Sequence, residues 1–196
     1  MYNYIKGHLA EANPSYAVVD CGGVGYQLEI TVNTYSQIKD LTEVKLLVHE
    51  IIREDAHILV GFFSEAERDM FRLLLSVNGV GAATARVMLS SLTVDELSRA
   101  IVDGDVKRVQ KVKGIGTKTA QRILLELRDK VNPLASGSSA DGVVPSTNSN
   151  ADEALSALVM LGFPKAASEK VLAKVATQDP SASVEELIKM ALAHGI

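Results

Sequence analysis

Apolar residues in the first 63 positions come in short runs, among them YAVVD, VGYQLEI, EVKLLVHEII and HILVGFF, separated at Asn13-Pro14, Gly22-Gly23 and Arg53-Glu54-Asp55. Runs of this length, rich in Val, Ile, Leu and Tyr and bounded by turn formers, predict strands. From Ser64 the period lengthens. Ser64 and Glu67 have the spacing of a capping box, and Met70, Phe71, Leu74 and Leu75 follow at helical intervals. Thr93 with Glu96 and Ser183 with Glu186 predict two further boxes. Residues 135–150, ASGSSADGVVPSTNSN, have the Ser- and Gly-rich composition of a flexible linker.

The pattern therefore predicts a multidomain α+β chain. Residues 1–64 form a five-stranded all-β unit, residues 65–134 a helical unit, residues 135–150 a tether and residues 151–196 a three-helix module. Five short strands around a Gly-Gly hairpin suit a small Greek-key barrel of the OB kind, and an SH3-like barrel fits the same strand pattern. In the tail, Leu155, Leu158, Val159 and Leu161 precede a Gly162-Phe163 turn, followed by Val171, Leu172 and Val175 and then Leu187, Ile188 and Met190. A core drawn from 46 residues is marginal by itself.

The helical unit contains one sequence twice. Residues 77–89, VNGVGAATARVML, and residues 112–124, VKGIGTKTAQRIL, align at an offset of 35. Each places Gly-x-Gly, with a branched apolar residue between, directly before a helix. Glycines at such a point permit positive φ and leave the first helical amides unshielded, so a phosphate can approach them and the positive end of the helix dipole. Val80 and Ile115 would pin each turn to the core. The pattern resembles the helix-hairpin-helix motif, which binds DNA backbone without reading sequence. A tight helix–helix connection is the plainer reading of either copy alone.

Charge separates the two readings. The 196-residue chain has net charge −4, yet Lys and Arg stand to Asp and Glu as 4 to 8 in residues 1–64, 12 to 9 in residues 65–134, 0 to 1 in residues 135–150 and 4 to 6 in residues 151–196. Only the helical unit is basic. Residues 106–122 hold six cations, Lys107, Arg108, Lys111, Lys113, Lys118 and Arg122, and no acid. Cationic side chains beside exposed amides are the electrostatic footprint of phosphate contact.

Other chemistries find little support. Cys21 is alone, so no intrachain disulfide forms, and His8, His49, His57 and His194 lack metal-ligand spacing. No metal or cofactor is expected. The N-terminus reads neither as a signal peptide nor as a membrane span, and the chain is expected in the cytoplasm. GIGTKT lacks the glycine before lysine and the four-residue spacer of a P-loop. Helix-hairpin-helix glycosylase/lyases are a closer rival, since they use the lysine of such a turn as nucleophile. They also need a catalytic aspartate in a pocket, whereas Asp129 lies on the same expected helix as Lys118 and Asp141 in the linker.

GGVGY at 22–26, REDA at 53–56, LVGF at 59–62, NGVG at 78–81, KGIGTKTA at 113–120 and ALVMLGF at 157–163 together resemble the RuvA family over nearly the whole chain. The resemblance implies a non-catalytic Holliday-junction-binding subunit. It implies a homotetramer matching the four arms of the junction, acting with a RuvB-type hexameric ATPase motor and a RuvC-type resolvase, and leaves open whether one tetramer or two face each other on DNA. DNA contacts would fall to Gly79, Val80 and Gly81 in the first hairpin and Gly114, Ile115, Gly116, Thr117 and Lys118 in the second. Glu54 and Asp55, expected at a hairpin tip, would be an acidic pin repelling phosphates at the junction centre; as residues alone they read as a solvated turn. Leu158, Leu161 and Phe163 would contact the motor from a ubiquitin-associated-type fold. The chain departs from the family pattern at Ala82-Ala83-Thr84, where relatives often place a lysine. The first hairpin then depends on neighbours such as Arg86, and Arg86 and Arg122 either face DNA or pack against helices.

Overall fold

The computed structural model describes residues 1–135, 149–179 and 182–194. The chain divides into two compact units, Met1–Ser139 and Ala140–Ile196. The first begins with β1 (Tyr4–Ala12), β2 (Tyr16–Asp20), β3 (Gly25–Glu29), α1 (Val32–Ile38), β4 (Glu43–Ile52) and β5 (His57–Phe62). Its strands close a barrel in the order β1-β2-β3-β5-β4. Long β4 serves two neighbours, pairing antiparallel with β1 over residues 43–47 and with β5 over residues 47–52. A parallel step between β3 and β5, at Glu29 and Val60, completes the circle. This five-stranded Greek-key closure is the OB topology, not the SH3-like one.

Helix α1 corrects the all-β expectation. VNTYSQI is poor in strong helix formers, and seven residues are too few to sustain a helix alone. Its surroundings impose the conformation: the Thr31 hydroxyl accepts from the Thr34 amide as an N-cap, and Thr34 and Ile38 are buried.

Five helices follow, α2 (Glu65–Leu75), α3 (Ala82–Ser91), α4 (Val94–Asp103), α5 (Val106–Gln110) and α6 (Thr117–Ala135). Strand β5 is a wall common to both cores. Its Leu59 joins Val19, Leu28, Leu46 and Val48 inside the barrel, while Val60 and Phe62 join Phe71, Leu74, Met88 and Ile123 among the helices. Each such side chain contributes about 1.5–3 kcal/mol on burial, so a two-faced strand couples the cores strongly.

The capping box expected at Ser64 forms only in part. The Ser64 hydroxyl accepts from the Glu67 amide at 3.2 Å, but the Glu67 carboxylate turns inward. There it accepts hydrogen bonds from the Thr31 and Thr34 hydroxyls, the latter at 2.6 Å. Thr34 Oγ1 also accepts from the Phe63 amide at 3.2 Å. One buried carboxylate thus ties α1, the end of β5 and α2 together. Burial raises its pKa, opposed by these hydrogen bonds. The boxes at Thr93 and Ser183 form in full.

The second unit holds α7 (Ser149–Met160), α8 (Lys165–Gln178) and α9 (Val184–Ala193) around Ala154, Leu158, Leu172, Val175 and Leu187. Helix α7 ends in a Schellman turn, with the Phe163 amide donating to the Leu158 carbonyl at 3.1 Å and the Gly162 amide to that of Val159 at 3.0 Å. Most of the expected linker lies outside the described residues, but its edges do not: Ala135 ends α6, and Ser149 and Asn150 already belong to α7.

Candidate nucleic-acid interface

The repeated sequence folds into repeated geometry. In the first copy the Val80 amide donates to the Val77 carbonyl at 3.1 Å, and in the second the Ile115 amide donates to that of Val112 at 3.2 Å. Gly79 and Gly114, third in each turn, have φ of 91°. A four-residue turn with positive φ at its third position is type II, which glycine fills without strain. Gly81 and Gly116 then hold the N-cap place, accepting from the Ala85 and Ala120 amides at 2.9 Å.

The second glycine of each pair differs from expectation. Gly81 has φ −92°, and neither Gly81 nor Gly116 has positive φ. A Cβ on either would meet nothing within 4 Å. Neither backbone strain nor packing inside the chain therefore demands glycine here. What its small size does leave open is the outer approach to the first amides of α3 and α6, which have no intrahelical acceptor. Gly81 offers no side-chain cap to occupy them.

Val80 and Ile115 belong to the turns rather than to their outer faces. They are 6% and 7% exposed, their side chains lie in the helical core, and their amides are engaged in the turn hydrogen bonds. Direct DNA contact is thereby withdrawn from both, and each keeps the anchoring part expected of it. Gly79, Gly81, Gly114, Gly116, Thr117 and Lys118 are exposed.

The cations separate as well. Arg86 reaches back to the barrel, its Nη2 lying 3.0 Å from Glu29 Oε2 on β3. Arg108 pairs with Glu96 of α4 at 2.8 Å. Lys107, Arg108 and Lys111 line an open groove of about 720 Å³ together with Asp105 and Ser91. Arg122, half exposed on α6, donates from Nη1 to the carbonyl of Asn78 in the first turn at 3.0 Å. The sequence left both arginines between two roles; their partners are visible only in three dimensions.

Glu54 and Asp55 are exposed at the tip joining β4 to β5. The Arg53 amide closes this hairpin on the Ala56 carbonyl at 2.8 Å, just beyond the last strand pair, Ile52 with His57. In the second unit Leu158 is fully buried in the core and so is not a surface contact, Leu161 is 63% exposed, and Phe163 is partly buried. Met160, at 88% exposed, and Val159 beside it went unselected. Their signal was the unbroken Leu158-Val159-Met160-Leu161, because four consecutive apolar residues cannot all face one core.

Among the described residues no group of three His, Cys, Asp or Glu could hold a metal ion, and no helix is long and apolar enough to cross a membrane. Lys118 and Asp129 share α6, and eleven residues of helix separate them by about 16 Å along its axis, which is no catalytic pair.

Two matched turns opening onto helix N-termini, carried on an OB barrel, define a tandem helix-hairpin-helix protein. Residues 1–61 match the RuvA N terminal domain, residues 71–129 the SAM-like helix-hairpin-helix tandem and residues 149–194 the RuvA C-terminal domain. The chain is 46% identical over 192 residues to a protein of Christiangramia forsetii called Holliday junction branch migration complex subunit RuvA. It is 44% identical over 198 residues to the protein of that name from Bacteroides fragilis and 47% over 194 residues to that from Parabacteroides distasonis, with 98% of each chain covered in all three comparisons. The chain belongs to the RuvA family.

Proposed function

We propose that this chain binds four-way junction DNA as the non-catalytic DNA-binding subunit of a branch-migration complex in recombination and repair. The observation that carries the reading is the pair of type II turns whose following glycines leave helix amides open although neither backbone strain nor packing demands glycine there. Amides and lysines at such positions hold phosphates and are indifferent to base sequence. Gly79, Gly81, Gly114, Gly116, Thr117 and Lys118 make the contacts. Glu54 and Asp55, a free acidic tip, repel phosphates where four strands converge and so discourage their re-closing.

Membership of the family supports a wider assembly. The part up to the end of α6 holds DNA as a homotetramer, the residues between α6 and α7 act as a tether, and the part from α7 onward recruits a RuvB-type ATPase motor, with a RuvC-type resolvase acting on the same junction in the cytoplasm. Val159, Met160 and Leu161, an apolar rim beside partly buried Phe163, support the motor contact.

The test is an electrophoretic titration of an immobile four-way junction against duplex of the same sequence. Strong junction preference is expected. Equal affinity for both would leave a plain duplex binder and overturn the reading.

A further inference from the structure

We infer that Tyr2 and His57 are positioning residues for the acidic tip, holding it in a fixed relation to the helical unit. The inference rests on the proposed repulsion between Glu54 and Asp55 and converging phosphates. That repulsion distinguishes DNA forms only if the tip stays where strands meet, since a hairpin free to swing would move its charges aside at little cost.

Below the tip, Glu50 pairs with Leu59, Ile51 with Ile58 and Ile52 with His57. Ile51 and Ile58 pack against the helical core, so Glu50, Ile52 and His57 share the opposite face of the hairpin. Leu46 and Val48 precede Glu50 on that face and lie in the barrel core, and Glu50 ends their row with its side chain only 9% exposed. A carboxylate so covered needs a donor. His57 Nε2 lies 2.6 Å from Glu50 Oε1, reaching diagonally across the two strands, and the carboxylate accepts. The imidazole that does this stands two residues beyond Asp55.

The segment ahead of β1 holds the other side of that ring. Tyr2 stacks on His57 with centroids 6.4 Å apart and planes at 21°, and meets Tyr26 of β3 edge-on at 6.2 Å. Asn3 is fixed twice. Its carbonyl accepts from the Val48 amide at 2.9 Å, and its Oδ1 accepts from Nη1 of Arg68 at 2.9 Å. Arg68 is buried on α2, the helix that leads into the first glycine turn. A continuous set of contacts therefore runs from α2 through Asn3 and Tyr2 to His57 and the base of the tip. Tyr2 and His57 are themselves about half exposed, so they bury little and do more to fix a direction than to hold the barrel closed.

The test uses the full chain, titrated against a synthetic immobile four-way junction and against duplex of the same sequence. Tyr2→Ala and His57→Ala should each lower the junction-to-duplex ratio by up to about fivefold, the equivalent of one lost phosphate repulsion at the tip. Tyr2→Phe keeps the ring and should keep the parent ratio. Hydrogen exchange at the Arg53 amide, which closes the tip on the Ala56 carbonyl, should quicken in Tyr2→Ala. With Glu54→Gln and Asp55→Asn already in place, neither alanine variant should change the ratio further. A lowered melting temperature with an unchanged ratio would make the stack a prop for the barrel alone and overturn the inference. A loss of ratio that persists with the tip neutralised would overturn it as well, because the residues would then act elsewhere. If neutralising the tip by itself leaves the ratio unchanged, the acidic-tip reading fails and takes this inference with it.

Discussion

The two glycine turns share a φ of 91° and the same closing hydrogen bond, yet their surroundings are opposite. Helix α3, which follows the first, is fastened to the barrel. Arg86 pairs with Glu29, Asn33 Nδ2 donates to the carbonyls of Leu89 and Leu92, and Ser90 Oγ accepts from the Val32 amide. Helix α6, which follows the second, offers exposed Lys118 and half-exposed Arg122. Backbone geometry is common property; position and charge are divided. If the turns bind phosphates as proposed, the first hairpin sets where they are held relative to the barrel and the second provides most of the attraction.

Replacing glycines should produce the largest effects and separate the pairs internally. Gly79→Val and Gly114→Val force a β-branched residue to positive φ, so each should lower stability by about 1–3 kcal/mol and weaken junction binding as well. Gly81→Val and Gly116→Val should cost less, about 1 kcal/mol, because their new side chains meet nothing and only the N-cap preference is lost. Their binding should still fall. Thermal melts beside junction titrations read both quantities, and equal destabilisation at all four positions would break the distinction.

A smaller effect should fall on one hairpin only. Burial raises the pKa of Glu67, and its network holds α1, to which α3 is bound through Val32 and Asn33. The folded state therefore retains a proton that the unfolded chain releases. Stability is full below the ordinary carboxylate range and falls as pH rises through it toward the raised value, by about 1.4 kcal/mol for each unit of displacement. Glu67→Gln should flatten that profile. Hydrogen exchange followed against pH should quicken in α3 of the parent before α6, and equal quickening would mean that the joint does not act on the first hairpin selectively.

The smallest change in stability is expected at the acidic tip. Glu54→Gln with Asp55→Asn should leave melting nearly unchanged, because both residues are exposed. Each repulsion from a phosphate near 4 Å costs on the order of 1 kcal/mol in water, so duplex binding should rise most and the junction-to-duplex ratio shrink. An unchanged ratio would leave selectivity to the hairpins alone.

Features set by local chemistry were legible in the sequence. The strands bounded by Asn13-Pro14, Gly22-Gly23 and Arg53-Glu54-Asp55, the repeat at offset 35 and the caps at Thr93 and Ser183 all appear where their residues predict them. What escaped depends on distant partners. Helix α1 exists because the barrel covers it, and Glu67 abandons its box because two threonines more than thirty residues earlier offer a better site. Arg86 and Arg122 have equivalent chemistry in a sequence and are separated only by Glu29 and the Asn78 carbonyl. Leu158 near the end of α7 and Leu161 just beyond it, both apolar, fall on opposite sides of the core boundary.

The bare outer faces of Gly81 and Gly116 also bear on motion. A protein that gripped base edges would stand in an energy well at its favoured sequence and face a barrier at every step away from it. Main-chain amides meet an identical phosphate at each nucleotide, so displacement by one base pair exchanges one set of bonds for an equal set. The free-energy profile along the DNA is then nearly level, and a motor pulling the arms works against the exchange of base pairs rather than against its own clamp. On the proposed contacts, the two missing methyl groups would then serve as a low-friction bearing.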